Sequence, residues 1–225
     1  GTVLSTTLGA GKGGEVNITA EDIVIVGLQP NVFAPSGLSA TTLNAGNAGS
    51  LTIETSTLTV LDGARVDSSA GATGNAGSIV INASESVKIA GGVATSVNPS
   101  IITSSANILD PALQKLLNLP ASPTGNSGSL TINTPRLEVT GGAQATVRND
   151  GTGNAGNLTV NADLIKLDRQ GTITADTQSR NGGNIIVNAD NFILQGQGAT
   201  SATAAGNGNG GNLTINTDNI VVLEA

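Results

Sequence analysis

Histidine, cysteine, methionine, tryptophan and tyrosine are all missing from this 225-residue chain, and Phe33 and Phe192 are its only aromatic residues. Their absence removes histidine acid–base chemistry, thiol nucleophiles, disulfide staples and the usual zinc and copper ligands. Basic residues are scarce too. Nine Lys and Arg, scattered rather than clustered, stand against 16 Asp and Glu for a net charge of −7, which makes nucleic acid and anionic membrane poor partners. The longest aliphatic runs, Ile23 to Val26 and Ile220 to Leu223, fall far short of the ~20 residues a spanning helix needs. Membrane insertion is not expected. The chain has neither an initiator Met nor a basic-then-apolar leader, which reads as a mature or excised segment.

What is plentiful is small or aliphatic. Glycine supplies 31 residues, and 38% of the chain is hydrophobic, mostly Val, Ile, Leu and Ala. These residues are ordered by a repeat. Gly-Asn-x-Gly-(Ser/Asn)-(Leu/Ile)-x-(Ile/Val) stands at Gly46–Ile53, Gly74–Ile81, Gly125–Ile132, Gly153–Val160 and Gly208–Ile215, with degenerate copies at Gly11–Ile18 and Arg180–Val187. The second glycine of each copy is Gly14, Gly49, Gly77, Gly128, Gly156, Gly183 or Gly211, at spacings of 35, 28, 51, 28, 27 and 28. The unit is therefore 28 residues, present seven times.

Inside each unit the apolar residues alternate, the signature of strands with one buried face. They are Leu51, Ile53, Leu58, Val60 and Val66 in the second unit, Leu130, Ile132, Leu137, Val139 and Ala145 in the fourth, and Leu158, Val160, Ile165, Leu167 and Ile173 in the fifth. The pattern predicts three short strands per unit. Because so short a unit cannot close a core alone, copies must stack at the ~4.8 Å strand spacing. The fold class expected is all-β: a parallel β-helix solenoid of about seven coils, right-handed by the default of parallel crossovers. Two asparagine columns fit such stacking. One is Asn47, Asn75, Asn126, Asn154, Asn181 and Asn209; the other is Asn82, Asn133, Asn161, Asn188 and Asn216. Both are expected to be structural, through stacked amides and tight corners.

Departures from the period locate insertions at 27–37, 91–100 and 106–122. The first two share a corner and align Gly27 with Gly91, Pro35 with Pro99 and Ser36 with Ser100. The third holds the only helical signal, near 110–118: Asp110 as cap, Pro111 at the first position and Pro120 beyond the end. Leu113, Leu116 and Leu117 form its apolar stripe, expected either to seal the flank of the solenoid or to make a protein contact. Both ends of the chain interrupt a repeat without a polar cap, so residues 1–225 are expected to be one segment of a longer solenoid.

Several phrases carry a family resemblance: Gly46–Ile53, Asn82–Val87 (Asn-Ala-Ser-Glu-Ser-Val), Asn133–Gln144 (Asn-Thr-Pro-Arg-Leu-Glu-Val-Thr-Gly-Gly-Ala-Gln) and Pro35–Leu38 (Pro-Ser-Gly-Leu). Over nearly its whole length the chain resembles the repeats of filamentous haemagglutinin-like exoproteins, above all the large cyanobacterial ones. The resemblance implies export through an outer-membrane partner pore by two-partner secretion, and residence at the bacterial cell surface or outside it. The secretion domain with its Asn-Pro-Asn-Leu type motif is missing here, and Asn98-Pro99-Ser100 is only a loop tripeptide. The segment therefore reads as repeat shaft.

Three chemical readings compete with the structural one. Asp163, Asp190 and Asp218 share one offset, with Glu21 at the same offset in the first unit. Stacked carboxylates can draw a hard cation such as calcium, but Asn-x-Asp corners also explain them. Glu138 with Arg136, or Asp168 with Lys166 and Arg169, are the charges a polysaccharide-degrading β-helix enzyme would use, and equally ordinary solvated pairs. Thr52, Thr131, Thr159 and Thr214 suggest an ice-binding array, but Asn17, Val80 and Ile186 interrupt it. The reading preferred is an adhesive shaft without catalysis, cofactor or metal, its alternative the polysaccharide-degrading enzyme. Contact with a glycan or protein on a cell surface is expected through the paired loops, by Gln29, Asn31, Val32, Phe33, Ser96, Val97 and Asn98.

Overall fold

The structure, a computed structural model, describes residues 1–27, 36–91, 99–178 and 181–224. It is mostly β, with one short helix among the described residues. In chain order the strands are β1 (Thr2–Thr7), β2 (Val16–Thr19), β3 (Asp22–Val26), β4 (Gly37–Thr42), β5 (Leu51–Leu61), β6 (Arg65–Ala70), β7 (Ile79–Ala90) and β8 (Ile101–Ala106). Helix α1 (Pro111–Leu117) follows, then β9 (Leu130–Asn133), β10 (Arg136–Thr140), β11 (Gln144–Asn149), β12 (Leu158–Asp168), β13 (Thr172–Thr177), β14 (Ile185–Leu194), β15 (Ala199–Ala204) and β16 (Leu213–Val222).

These strands make two parallel sheets. One runs β1-β4-β6-β8-β11-β13-β15; the other runs β16-β14-β12-β10-β7-β5-β2, with β3 beside β5 and β9 between β7 and β12. Equivalent residues of successive repeats pair: Leu51 with Ile79, Ile79 with Leu130, Leu130 with Leu158, Leu158 with Ile185 and Ile185 with Leu213. The alternating apolar residues face one interior. Leu51, Leu58, Val60, Val66, Leu130, Leu137, Val139, Leu158, Ile165 and Ile173 are all fully buried in a single core. Phe192 is buried in the column of Leu137 and Ile165.

The first and second strands of a repeat are less separate than expected. They fuse into one bent strand in β5, β7, β12, β14 and β16, and stay apart only as β2 with β3 and β9 with β10. Pro135 explains the second break, since it lacks the N–H that a ladder needs, and its carbonyl instead accepts from the N–H of Asp163 and Leu164. From Ile81 to Val87 the third unit is one residue longer than the second is from Ile53 to Leu58, and the extra residue appears as a bulge, where Thr55 pairs with Ala83 but Thr57 pairs with Ser86.

The anchor glycines are required by close approach. A Cβ on Gly49, Gly77, Gly128, Gly156, Gly183 or Gly211 would overlap the carbonyl oxygen of the preceding anchor, from Gly14 through to Gly183. No side chain fits where one backbone lies directly on the next. Buried polar side chains of the other sheet fasten this corner. The Ser68 hydroxyl donates to the Gly49 carbonyl (3.1 Å) and accepts from the Gly77 N–H (2.9 Å), Ser104 donates to Gly77 (2.9 Å), and Asn149 donates to Gly125 (3.0 Å).

Helix α1 forms where its signals stand. Asp110 caps it by accepting from the N–H of Ala112 (2.8 Å), and Asn118 ends it in the left-handed conformation. Its stripe does not seal the sheet, however. Leu116 is 80% exposed and Leu117 36% exposed. A residue just before the helix lies closer to the sheet corner: a Cβ on Gly71 would run into the Leu109 side chain.

Candidate functional site

A concavity lies where the long strands bend between their two apolar pairs. It is a groove of about 890 Å³ crossing successive strands from β5 to β16. The β5 repeat contributes Glu54 and Thr55, and each later repeat three consecutive residues at the bend, such as Asn161-Ala162-Asp163 and Asn188-Ala189-Asp190. The first points away from the core because it follows a buried residue: Asn161 follows Val160 and Asn188 follows Val187.

The asparagines form a continuous ladder along one wall. Each Nδ2 donates to the preceding Oδ1: Asn133 to Asn82, Asn161 to Asn133, Asn188 to Asn161 and Asn216 to Asn188, every bond 2.7 Å. Asn82 donates to the Glu54 carboxylate at 2.6 Å. The amides therefore point one way, and Glu54 closes the donor end with a charge-assisted bond. A primary amide has two N–H donors and two acceptor positions, so each inner asparagine keeps one of each free of the ladder.

Asp163, Asp190 and Asp218 line the same groove. The turn function expected of these carboxylates falls to other atoms. The carbonyl of Glu21 accepts from the N–H of Ser56 and Thr57, that of Pro135 from Asp163 and Leu164, and that of Asp190 from the Thr217 hydroxyl. No three Asp or Glu among the described residues gather tightly enough to hold a metal ion. The two asparagine columns and the aspartate column were legible in the sequence, but that the second asparagine column and the aspartates share a groove was not. The signal was the tripeptide Asn-x-Asp straddling a bend. A third ladder escaped sequence reading. The residue after each anchor glycine stacks as well, with the Asn184 N–H donating to Asn157 (3.2 Å) and that of Asn212 to Asn184 (2.9 Å).

The charged groups singled out for enzyme chemistry form pairs within their own strands or turns. Arg136 lies 3.9 Å from Glu138, Lys166 lies 3.3 Å from Asp168, and Arg169 lies 3.9 Å from Asp168. Burial acts to raise the Asp168 carboxyl, but hydrogen bonds from Gln195 and Lys166, with the Lys166 charge, outweigh it and hold the group below the ordinary carboxylate range. The Asp168 main chain is engaged as well, its carbonyl accepting from Gly171 (2.9 Å). Thr52, Thr131, Thr159 and Thr214 do share a column, interrupted by Asn17, Val80 and Ile186.

Gln29, Asn31, Val32, Phe33, Ser96, Val97 and Asn98 lie outside the described residues. The roots of their loops are placed. One loop leaves after β3 and re-enters at β4, the other leaves after β7 and re-enters at β8, and β4 and β8 flank β6 in one sheet. The re-entry points are thus two strand spacings apart, roughly 10 Å. Ser100, fully buried, clamps the second root by donating to Ala90 (2.8 Å) and accepting from the Gly63 N–H (2.9 Å). No protein-family model, curated protein or solved structure matches the chain.

Proposed function

We propose that the chain is a right-handed parallel β-helix of about seven 28-residue coils, the adhesive shaft of a large exoprotein of the filamentous haemagglutinin-like kind. The observation that carries this reading is the pairing of each repeat with the next, residue by residue, in both parallel sheets. Stacked this way, repeats extend a rod whose length is set by their number. Its work is mechanical. The columns of Leu, Ile and Val stiffen the rod, the corner loops at 27–37 and 91–100 make contacts, and the segment performs no catalysis. On this reading the protein leaves the cell through an outer-membrane partner pore and stays on or near the bacterial surface, where it meets a glycan or protein.

Removing seven residues from each loop tests the proposal, because the second repeat turns the same corner without an insertion, from β5 to β6 through Asp62-Gly63-Ala64. The shortened exoprotein should still be exported and fold, but attach to surfaces far less than the parent. Attachment equal to the parent would exclude the loops as the contact.

A further inference from the structure

We propose that the bend groove binds a neutral, extended polysaccharide laid lengthwise across the strands, with its hydroxyls on the asparagine ladder. The proposal deepens the adhesive reading by naming a ligand class and a site apart from the loops. Three features of the groove carry it.

The first is the ladder itself. Five asparagines, Asn82 to Asn216, are held in one orientation by 2.6–2.7 Å bonds, so little side-chain freedom remains to be lost on binding. Each inner amide keeps a free donor and a free acceptor, the pair needed to hold two adjacent hydroxyls. The second is the repeat distance. Successive amides stand about 4.8 Å apart along the groove, close to the length of one pyranose in an extended β-linked chain. The same contact can then recur sugar after sugar. The third is the remaining lining. Pro135, Ala162 and Ala189 offer apolar surface to the C–H faces of sugar rings.

Charge selects among glycans. Glu54, Asp163, Asp190 and Asp218 line the groove and no Lys or Arg does, so uronate and sulfated chains are repelled, while neutral hydroxyls can donate to the carboxylates. With no aromatic platform in the lining, affinity must build from many weak contacts and therefore grows with chain length.

The test is calorimetric titration of the intact chain with cello-oligosaccharides as probes. Binding should strengthen at least tenfold from cellobiose to cellohexaose and change little between low and high salt. Asn188→Ala and Asn216→Ala should each weaken cellohexaose binding several-fold. Asn216 ends the ladder and is exposed, so its loss leaves the fold intact even if Asn188→Ala perturbs it. Thr203→Ala, on the other sheet, should bind like the parent. No binding of cellohexaose, or equal binding by Asn216→Ala and the parent, overturns the proposal, as does preference for an anionic oligogalacturonate. None of these results bears on attachment through the corner loops, which the loop deletions read separately.

Discussion

At the residue scale, position within the repeat decides what a side chain can be. Gly128 sits on the Gly77 carbonyl, whereas a Cβ on Gly210 would meet nothing within 4 Å. Gly128→Ala must push two strands apart and should destabilise the chain severely, by about 3 kcal/mol or more. Gly210→Ala should be neutral or stabilising by ~0.5 kcal/mol, because it narrows the unfolded ensemble. Thermal melts of the two variants check the contrast, and equal melting temperatures would refute the anchor stack. Leu137 and Glu138 make a second contrast, since Leu137 is fully buried and Glu138 lies on the outer face. Leu137→Asp places an unpaired charge in the core at a cost of several kcal/mol against a total stability of ~5–15, so it should unfold the chain where Glu138→Ala does not. Asp168 behaves differently again. Its carboxyl is held below the ordinary range, so its stabilisation is complete above about pH 3.9 and is lost as the pH falls through the lower folded value. The gap in melting temperature between the parent and Asp168→Asn should therefore be constant near neutrality and close in acid.

At the element scale, the strands were legible and their joins were not. Alternation of Leu51, Ile53, Leu58 and Val60 predicts two apolar pairs with an irregularity between them, which reads equally as two strands with a turn or one strand with a bend. The ladder bonds decide for the bend, and they belong to backbone geometry that residue type does not encode. The bulge before Val87 was legible as a count, because an extra residue must go somewhere. Helix α1 was legible from Asp110 and Pro111, but its exposed stripe was not, because sequence spacing shows a face without showing what covers it. The groove was hidden for a related reason: its walls come from six repeats, each offering one Asn or Glu, and only the curvature at the bend brings them into one site. The ladder also makes an energetic prediction. Asn161→Ala removes two amide bonds at once, to Asn133 and from Asn188, and should cost about 1–3 kcal/mol, read as a lower midpoint in urea with an unchanged slope.

At the scale of the whole molecule, stability is built from neighbouring repeats rather than from long-range closure. Each strand pairs with the same position one repeat away, so any complete repeat is removable if the register of the remainder is kept. Deleting residues 157–183 joins Gly156 to Asn184 and takes out β12 and β13 together. Leu130 then meets Ile185, Ile132 meets Val187, Leu137 meets Phe192 and Val139 meets Leu194, apolar on apolar in every column, and Gly211 comes to rest on Gly156. The shortened chain should keep its β-type circular dichroism and melt cooperatively, a few degrees below the parent, since only one interface is lost. A deletion of half a repeat, residues 157–170, takes out β12 alone and joins Gly156 to Gly171, so that β13 and every later strand arrive at a position belonging to the other sheet. That variant should fail to fold. If both deletions unfold alike, the repeats are not interchangeable units, and the β-helix reading fails with them; if the in-register chain folds and the half-repeat one does not, each repeat is an independent layer.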